Sequence, residues 1–556
     1  MKRKAHLSIV WFICLWLAIE LGGACSAPTV QKEPTGQEVH AETTMEISGG
    51  NEEKDPQVEP SSTEQAKESS PKESSPEEPS SEPTPIPDAS EATTEKQEPV
   101  VESAPPENIV QETGPPEAPP VEKPVTPEKV PPDFCETKAG TCRYIDPVNG
   151  KDSNAGTYDS PWRSFVKVNV SIYGKYRPKG WVGLKPGDIV YLKSGVYQDI
   201  YHPGHDNGPT GGGSFIFFAQ NAKGTAAAPI QLKAFPGHKP IFDPKNKGNG
   251  ITLLYSEYII IDGIEIRNAN GRGIELSGSS NIKVKHVNVH DTDGSVGSNI
   301  AGMEIKGSKD IEVSHSTFYD NYDRSAAKAG KQTHNSCNFV LFSNRGSIKI
   351  HSSIFYNTKD RNGQYNGCGI KYKHAATELS STFALYNNYF ENHKYFAIGI
   401  GTANAHIHHN IINGASTALD SSDHGGPTHQ SNQVFEYNTI YDAPAFHVSP
   451  TLRWQNHKGI KWPGLKDIKF QYNIAVDLSS RYNSDKQLVN LNSYMSDTLF
   501  TALKKAISFT KNCYQNLNTK PSFGFAGSKG SGSLGGYHDL ASWQKTYQFD
   551  LQSKIA

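Results

Sequence analysis

The chain has 556 residues, and its 55 basic and 58 acidic side chains nearly balance. Two regions of opposite charge produce this balance. Residues 26–132 contain 24 acidic residues, 7 basic residues, 21 of the 36 prolines and no Phe, Trp or Tyr, whereas residues 133–556 carry a net charge of +12. Without aromatic side chains, the first region cannot offset its ordering entropy by burial. These counts exclude a single globular body of 556 residues, and they exclude an acidic binding surface on the folded part.

The first 25 residues predict an export signal. Three basic residues at positions 2–4 precede an apolar stretch over 7–19, which is too short for a stable membrane span. The segment ends in LGGAC (21–25), which resembles a bacterial lipobox. This resemblance implies that Cys25 is lipidated and anchors the protein to the membrane, at the bacterial cell surface or outer membrane. Cleavage by an ordinary signal peptidase is the alternative.

Residues 26–132 predict an acidic, proline-rich linker. Stretches such as KESSPKESSPEEPSSEPTPIP repeat Pro, Glu and Ser, a composition that favours an extended chain that repels itself. We expect this linker to be disordered and to hold the following domain away from the surface to which the protein is anchored.

The folded part begins with short apolar segments separated by Gly, Pro and Asn-Gly turns. These segments are YIDPVNGKDSNAGTYDSPWRSF (144–165), LKPGDIVYLKSGVYQD (184–199) and GTAAAPIQLKAFPGHKPIFD (224–243), and they predict strands. They resemble the N-terminal signature of right-handed parallel β-helix proteins of the pectate-lyase-like superfamily. DLASWQKTYQFDLQS (539–553) is similar to the segment that closes such domains. The resemblance covers most of 143–553 and implies the same fold.

Eight later segments repeat one pattern of two short alternating strands around a polar corner. They begin at residues 259, 282, 311, 348, 383, 405, 433 and 468. A period of roughly 22 residues with insertions is typical of a solenoid, in which each coil contacts only its neighbours. The predicted fold is therefore an all-β, right-handed parallel β-helix over 133–556, preceded by a disordered stalk rich in Pro, Glu and Ser.

An asparagine recurs at the polar corner of the later repeats. Asn388, Asn410, Asn438 and Asn473 occupy the same position, and Ser353 precedes them. Buried amides at tight turns hydrogen-bond the neighbouring backbone. We therefore expect a stack of amides along one corner, with a sugar-binding role as the alternative.

A further strand in each repeat predicts a row of side chains on the outside of the solenoid. Apolar residues alternate inward in segments such as GIEL at 273 and GIKY at 369, so the central residues face out. The row contains Glu275, Glu304, Val340, Lys371, Gly399 and His447, and Lys306 and Lys373 extend it. The insertions 321–337 and 357–368 are expected to wall a groove beside it. The resemblance implies that polysaccharide binds in this groove.

The residue types in this row suit cleavage of a uronic-acid polymer by β-elimination. This reaction needs a base for the proton next to the carboxylate, neutralisation of that carboxylate and a proton for the leaving oxygen. The resemblance implies Lys or Arg as the base. Lys371 is the catalytic candidate together with Lys373, because a neighbouring cation lowers a lysine pKa. The candidate substrate-binding residues are Lys306, His374, His424 and His447. A solvated outer sheet face is the alternative for the whole row.

Carboxylates near the row predict a calcium site. The candidate ligands are Glu275, Glu304, Asp291 and Asp293, which carry the hard oxygen atoms that Ca²⁺ prefers. Glu275 and Glu304 on adjacent coils also form the kind of carboxylate pair that glycoside hydrolysis needs.

A polar loop over 420–429 is expected to roof the groove. It contains Asp420, Asp423, His424 and His429. A His–Asp proton relay is one interpretation of this loop, and an ordinary polar loop is the other.

Two cysteine pairs predict disulfides in an exported protein. Cys135 and Cys142 flank a short loop at the start of the domain. Cys337 and Cys368 each directly precede the first residue of successive outward-facing strands. One coil spacing brings their Cα atoms inside the disulfide window of roughly 4.4–6.8 Å, so we expect a bond between them.

These features together predict a monomeric cell-surface β-helix protein that binds an acidic polysaccharide and cleaves it by β-elimination, with Ca²⁺ as the candidate cofactor. The alternatives are a non-catalytic carbohydrate-binding or adhesive surface protein and a glycoside hydrolase. A positively charged domain favours polyanions, and export argues against nucleic acid as the physiological partner.

Overall fold

The computed structural model describes residues 134–555 with gaps at 138, 170–179, 202–212, 295–299, 331–334, 423–427, 451–455, 458–459, 462–463, 477–486, 493–496, 516–521 and 527–535. The predicted export signal, the predicted linker, Cys25 and His424 lie outside these residues. The described part is an all-β, right-handed parallel β-helix, as predicted. None of its helices has the length and apolar character needed to cross a membrane.

The described residues form strands β1–β36, numbered in chain order, and most of them lie on three faces of the solenoid. Face A consists of β1 (Cys142–Ile145), β2 (Ile189–Leu192), β5 (Ile230–Ala234), β8 (Glu257–Asp262), β11 (Ser280–Lys285), β14 (Lys309–Ser314), β17 (Arg345–His351), β20 (Thr382–Tyr386), β22 (Ala405–His408), β24 (Ser431–Glu436), β29 (Lys466–Gln471) and β32 (Ile507–Thr510). Face B consists of β4 (Phe215–Gln220), β7 (Asn249–Leu254), β10 (Arg272–Ser277), β13 (Ala301–Lys306), β16 (Cys337–Phe342), β19 (Cys368–His374), β26 (Phe446–Ser449), β31 (Gln487–Asn492), β34 (Ser522–Ala526) and β35 (Gly536–His538).

Face C consists of β3 (Gly195–Tyr197), β6 (Pro240–Phe242), β9 (Glu265–Arg267), β12 (Asn288–His290), β15 (Thr317–Tyr319), β18 (Ile354–Tyr356), β25 (Thr439–Tyr441), β30 (Ile474–Val476), β33 (Cys513–Gln515) and β36 (Lys554–Ile555). Two long strands run through faces C and B without a break, β21 (Tyr389–Ile400) and β23 (Ile411–Ser422). A separate antiparallel pair is β27 (Asn456–His457) with β28 (Ile460–Lys461). The described helices are a 3₁₀ turn (Phe165–Lys167), α1 (Arg324–Lys328), α2 (Asp497–Ala506) and α3 (Leu540–Tyr547).

The predicted repeats coincide with the coils of face A. Each repeat begins on the same column of hydrogen-bonded partners, which runs from Ile259 through Ile282, Ile311, Ile348, Phe383, Ala405 and Gln433 to Ile468. Parallel strands buried on one side place every second residue inward, and a slip of one residue would expose the whole apolar set. The period-2 pattern therefore specifies the register from coil to coil.

The core consists of apolar columns that run along the solenoid axis. Phe318, Phe355 and Phe390 stack on face C with ring centroids 5.3 and 4.9 Å apart. Phe435 and Phe470 stack 4.5 Å apart on face A. All five side chains are fully buried. Offset aromatic contacts at these distances add to the free energy gained by burial, so identical positions on successive coils stabilise one another.

The predicted amide stack is confirmed at the corner between faces A and C. The side-chain oxygen of Asn410 accepts hydrogen bonds from the backbone and side-chain nitrogens of Asn388, at 3.1 and 3.0 Å. Asn410 itself donates to the corresponding oxygen of Asn438, which repeats the arrangement with Asn473. The stack extends beyond the prediction to Asn512. It satisfies buried turn amides, and this supports the structural interpretation of the stack rather than sugar binding.

A second amide ladder, which we did not predict, lies at the corner that precedes face B. Asn321 donates to Asn338 at 3.0 Å, Asn338 donates to Asn357 at 3.4 Å, and Asn357 contacts the ring of His393 at 3.0 Å. All four side chains are buried. Burial lowers the pKa of His393 to about 3, so the ring is neutral in this ladder. The ladder fixes the point at which the chain enters the strands of face B.

Replacing Asn410 with alanine tests the first ladder. The substitution leaves the backbone amide of Asn388 and the carbonyl of Leu385 without their partners. An unsatisfied buried polar group costs about 1–3 kcal/mol, so we expect the free energy of unfolding to fall by about 2–4 kcal/mol. Urea denaturation measures the change, and Asn362→Ala, in an exposed turn, is the control. Equal midpoints for Asn410→Ala and Asn362→Ala would contradict the role of the ladder.

The C-terminal segment closes the apolar interior, as the resemblance implied. Asp539 caps α3 by accepting a hydrogen bond from the amide of Ser542 at 2.7 Å. Trp543 on α3 is fully buried and packs 5.3 Å from the ring of Phe549. Phe549 in turn contacts Phe509 of the last coil at 5.8 Å. This segment covers the open end of the core.

Asp550 lies beside this cap and predicts a pH-dependent stability. It is fully buried and accepts hydrogen bonds from Asn512, Tyr514 and Ser553. Burial raises the pKa of Asp550 to about 6, although the three hydrogen bonds oppose the shift. Because an unfolded Asp titrates near 3.9, the stabilising contribution of this residue is complete below about pH 4 and is lost as the pH rises through about 6.

We therefore expect the free energy of unfolding to fall by about 2–3 kcal/mol, owing to Asp550, when the pH rises from about 4 to about 7. Asp550→Asn should remove this component of the pH dependence, because an amide does not titrate. Urea denaturation at both pH values measures the difference, with Asp159→Asn, an exposed position, as the control. A pH dependence that is the same with and without Asp550 would show that this carboxyl does not change its protonation on folding.

The structure contains both of the disulfides expected from the sequence. Cys337 and Cys368 are register partners on β16 and β19, with Cα atoms 4.3 Å apart. Cys135 and Cys142 are bonded across the first loop, with Cα atoms 5.8 Å apart. The first bond joins two coils of face B next to the row of outward side chains.

Candidate active site

The outward residues of face B form one straight column. Their register runs from Thr252 through Glu275, Glu304, Val340, Lys371, Gly399, Asp420 and His447 to Asn490. We call these nine residues the outer column. Successive positions lie about 4.8 Å apart, which is the spacing of parallel strands. All six residues of the predicted row lie on this column, in the predicted order.

Asp420 is the one member of this stretch whose placement in the sequence analysis was wrong. It was assigned to a polar loop, but it lies in β23 between Gly399 and His447. The segment ALDS at 418–421 repeats the inward and outward alternation of AIGI at 397–400, 21 residues earlier. A spacing of 21 residues is close to the shortest repeat of the solenoid. It is the sequence signal that places Asp420 in the outer column.

The central part of the outer column is covered, unlike the solvated outer face that was the alternative interpretation of this row. Val340 is fully buried, and Glu304 and Lys371 are only 3% and 4% exposed. The register of β21 is irregular between His393 and Phe396, and Phe396 packs on the outside of face B against Val340 and the Cys337–Cys368 bond. A charged side chain in such surroundings loses most of its hydration.

Lys371 is the most strongly perturbed cation of the column. Its Nζ donates a hydrogen bond to the side-chain oxygen of Asn335 at 3.1 Å and lies 5.6 Å from the ring centroid of Phe396. Burial lowers the pKa of Lys371 to about 8, and the charge of Lys373 lowers it further, while Asp420 opposes the shift. A substantial fraction of this amine is therefore neutral in weakly alkaline solution.

Two further basic side chains lie beside Lys371 at the end of β19. Lys373 is half-buried, and its Nζ lies 6.0 Å from the ring centroid of Phe342. Burial lowers the pKa of Lys373, although Glu304 opposes the shift. The ring of His374 packs edge-on against Phe342, with the centroids 5.2 Å apart. This end of β19 thus presents a compact group of nitrogen bases.

Glu275 and Glu304 form an acidic pair two to three coils from Lys371. They are direct register partners. Glu275 accepts hydrogen bonds from Asn249 at 3.0 Å and Thr252 at 3.4 Å, and Glu304 binds Arg272 through contacts of 3.0 and 3.1 Å. Burial raises the pKa of Glu275, and the charge of Glu304 raises it further. Lys306, two residues after Glu304, is exposed at the edge of the same strand.

Asp291 and Asp293 do not join this pair, so the four predicted calcium ligands do not form one group. Asp291 follows β12 on face C and contacts Arg324 and His290, both at 2.7 Å. Asp293 accepts hydrogen bonds from the backbone amides of Gly294 and Arg324. Within the described residues, no three His, Cys, Asp or Glu side chains are grouped to hold a metal ion.

Asp420, His447 and Ser422 form a second titratable group on the column. Nδ1 of His447 lies 2.7 Å from a carboxylate oxygen of Asp420. The hydroxyl of Ser422 contacts the same oxygen and lies 3.2 Å from Nδ1 of His447. Burial alone would lower the pKa of His447, but the charge and hydrogen bond of Asp420 outweigh it and raise that pKa.

Comparison with known proteins supports the fold. Residues 144–336 match the family model described as "Pel9A-like, right handed beta helix region". The matched residues lie within the right-handed parallel β-helix described above. No curated protein matches it.

Several solved structures are similar to this chain at low identity. Pectate lyase Pel9A is 15% identical over 68% of this chain and 79% of its own, with a TM-score of 0.38. An alginate lyase from Paenibacillus sp. str. FPU-7 is 16% identical over 59% and 89%, with a TM-score of 0.34. A lacto-N-biosidase from Eubacterium ramulus is 14% identical over 68% of each chain, with a TM-score of 0.39. These values are too low to transfer an activity to this chain.

The charges around Lys371 predict how its pKa responds to substitution. Lys373→Gln should raise the pKa of Lys371, because a repelling cation is removed, and Asp420→Asn should lower it, because an attracting anion is removed. Reductive methylation with ¹³C-formaldehyde followed by NMR titration measures the pKa directly. Lys349→Gln, on the outer side of face A, is the matched control and should leave the value unchanged. Shifts of the opposite sign would contradict this electrostatic assignment.

Proposed function

We propose that this protein binds an acidic polysaccharide along face B and cleaves it by β-elimination, with Lys371 as the base. The observation that carries the proposal is a buried amine with a pKa of about 8 on the outward side of a parallel β-helix. A lysine at its ordinary pKa is almost fully protonated at neutral pH and cannot accept a proton. Burial under Asn335 and Phe396 is the physical reason why Lys371 can act as a base.

The cations around Lys371 would supply the remaining requirements of substrate binding. Lys373, His374 and Lys306 lie at the edge of face B, where they would neutralise uronate carboxylates on successive sugar units. Neutralising the carboxylate acidifies the adjacent C–H bond, because negative charge that develops on that carbon is delocalised into the carboxyl group. The net charge of +12 on residues 133–556 favours capture of a polyanion from solution.

Glu275 and Glu304 are the only protein ligands that we propose for calcium. These two carboxylates would hold the ion together with carboxylates of the substrate, and no step of the elimination is assigned to it. Glu275→Gln or Glu304→Gln should then raise the Ca²⁺ concentration needed for binding.

We further propose that the protein is exported, is lipid-anchored through Cys25 and acts as a monomer at the bacterial cell surface or outer membrane. The basic start, apolar stretch and LGGAC ending of residues 1–25 support this location. Export argues against nucleic acid as a partner. Mass spectrometry of the mature N-terminus would distinguish a lipidated Cys25 from cleavage by an ordinary signal peptidase.

Substitutions of Lys371 test the proposed reaction. The full chain is incubated with a panel of polyuronides, and ultraviolet absorbance reports the unsaturated ends that elimination creates. We expect Lys371→Ala to abolish turnover, and Lys371→Arg to retain binding but lose at least about 100-fold in kcat, because guanidinium stays protonated. Lys349→Ala, on face A, is the matched control for loss of a lysine. Unchanged cleavage by Lys371→Ala would refute the assignment.

A glycoside hydrolase is the second candidate, because Glu275 and Glu304 are adjacent and the pKa of Glu275 is raised. A protonated carboxyl beside an ionised one is the arrangement that glycoside hydrolysis uses. Reducing ends without ultraviolet absorbance, lost in Glu275→Gln but retained in Lys371→Ala, would favour hydrolysis. Binding of the polysaccharides without any cleavage would favour a non-catalytic surface protein.

A further inference from the structure

The His447–Asp420 pair is a proton-handling unit that the proposed base does not use. The Nδ1–Oδ1 distance of 2.7 Å and the buried carboxylate of Asp420, 5% exposed, fix the orientation of the imidazole ring. A carboxylate at Nδ1 keeps the proton on that nitrogen and directs Nε2 away from it. The hydroxyl of Ser422 also contacts this carboxylate oxygen.

Nε2 of His447 is available to a ligand. The side chain of His447 is 27% exposed, whereas that of Asp420 is 7% exposed. Within the part of the chain that the structure describes, Nε2 of His447 has no hydrogen-bond partner. Because the polar contacts of the ring are made through Nδ1, Nε2 is the nitrogen left for a ligand, and in the imidazolium form this atom bears a proton.

Gly399 separates this pair from Lys371. The order along the outer column is Lys371, Gly399, Asp420 and His447. Gly399 has no side chain, so the column carries no outward group between Lys371 and Asp420. Three coil steps place the Cα atoms of Lys371 and His447 roughly 14 Å apart. Asp420 lies between them, and its charge acts on both the amine and the imidazole.

Among the described residues, few charged groups face His447. Asp420 on β23 is the anion that acts on its ring, with the neutral Ser422 beside it. Asn490 is the register partner on β31 and does not titrate. Lys371 is the nearest cation on the column, and the charge of Asp420 also acts on its amine.

We propose that His447 is the general acid of the β-elimination and protonates the leaving oxygen from Nε2 while Asp420 positions its ring. This proposal rests on the function proposed above. Lys371 takes the proton from the carbon next to the uronate carboxylate, and the electron pair of that C–H bond forms the C=C bond. The C–O bond to the leaving sugar breaks, its electron pair stays on oxygen, and the Nε2 proton of His447 completes the hydroxyl group. Exchange with water then returns a proton to His447 and removes one from Lys371.

Substitution of His447 combined with a change of leaving group tests this role. His447→Gln should lower kcat on a polyuronide by at least about 100-fold, which is the usual contribution of a general acid. A synthetic uronide with a 4-nitrophenyl ether at the leaving position needs no protonation, so His447→Gln should cleave it at nearly the wild-type rate. His406→Gln removes a comparable His–carboxylate pair, His406 with Glu436 at 2.8 Å on face A, and should behave as wild type on both substrates.

The pH profile gives a second readout that a merely structural residue would not change. The acid must be protonated, so kcat should fall as the pH rises through the pKa of His447, and His447→Gln should lose this alkaline limb. Asp420 raises the pKa values of both His447 and Lys371, so Asp420→Asn should move both limbs to lower pH. NMR titration of His447 in Lys371→Ala measures its pKa without any turnover.

The possible outcomes separate this proposal from the one on which it rests. An equal loss of rate on both substrates in His447→Gln, or an unchanged alkaline limb, would overturn the role of His447 and leave Lys371 as the base. Wild-type protein that cleaves neither substrate would instead overturn the proposed function. Rescue by the aryl leaving group together with loss of the alkaline limb would support both.

Discussion

Hydrogen bonding between successive parallel coils is the interaction on which the rest of this structure depends. It fixes the separation of neighbouring strands at about 4.8 Å, and the alternation of apolar residues fixes which residue of one coil pairs with which residue of the next. Every other regularity is a consequence of these two conditions. In each case equivalent residues of successive coils are brought into line. The aromatic stacks form at inward positions, the asparagine ladders at corners and the outer column at outward positions.

The corner ladders show how the fold satisfies its own polar groups. A tight turn leaves backbone amides without strand partners, and burial of such amides is costly. Asparagine is suited to this position because its side chain both donates and accepts, so Asn410 can receive bonds from Asn388 and donate to Asn438. The identical geometry of neighbouring coils lets one residue type repeat. The turn between faces A and C is therefore short, and insertions occur at the other two corners, such as 357–368 before face B and β27 with β28 after it.

This difference between the corners determines where the perturbed acid–base groups lie. Segments inserted before face B cover its outward residues, and the cover converts a surface lysine into a buried one. Outward residues of face A stay more solvated, as in the pair of His406 with Glu436, where the side chain of His406 is 47% exposed. The same residue types thus have different acid–base properties on the two faces, because hydration rather than sequence position determines the cost of charge.

The sequence predicted the features that depend on the alternation of apolar residues within one coil. It did not predict features that depend on a contact with a residue distant in the chain. The starts of the repeats, the amide stack from Asn388 to Asn473 and six positions of the outer column follow from alternation within each coil, and these predictions are confirmed. The burial of Lys371 depends on Phe396, which turns outward at an irregularity of β21 that has no clear sequence signal. Within the described residues the four candidate calcium ligands are not grouped, because Asp291 follows β12 on face C and binds Arg324, 33 residues later in the chain.

The linear arrangement of the outer column has a consequence for how such a site can change. Each coil contributes one outward side chain to the column, so substitution at one position alters the chemistry at that point without disturbing the inward residues that hold the coil. Gly399 illustrates this, since it contributes no outward side chain while its inward neighbours Ile398 and Ile400 are fully buried. A proton acceptor and a proton donor can therefore be set at a chosen number of coil steps, with the spacing maintained by the backbone. Insertions before face B then determine how much water reaches each of them, and so they tune acid–base strength independently of position.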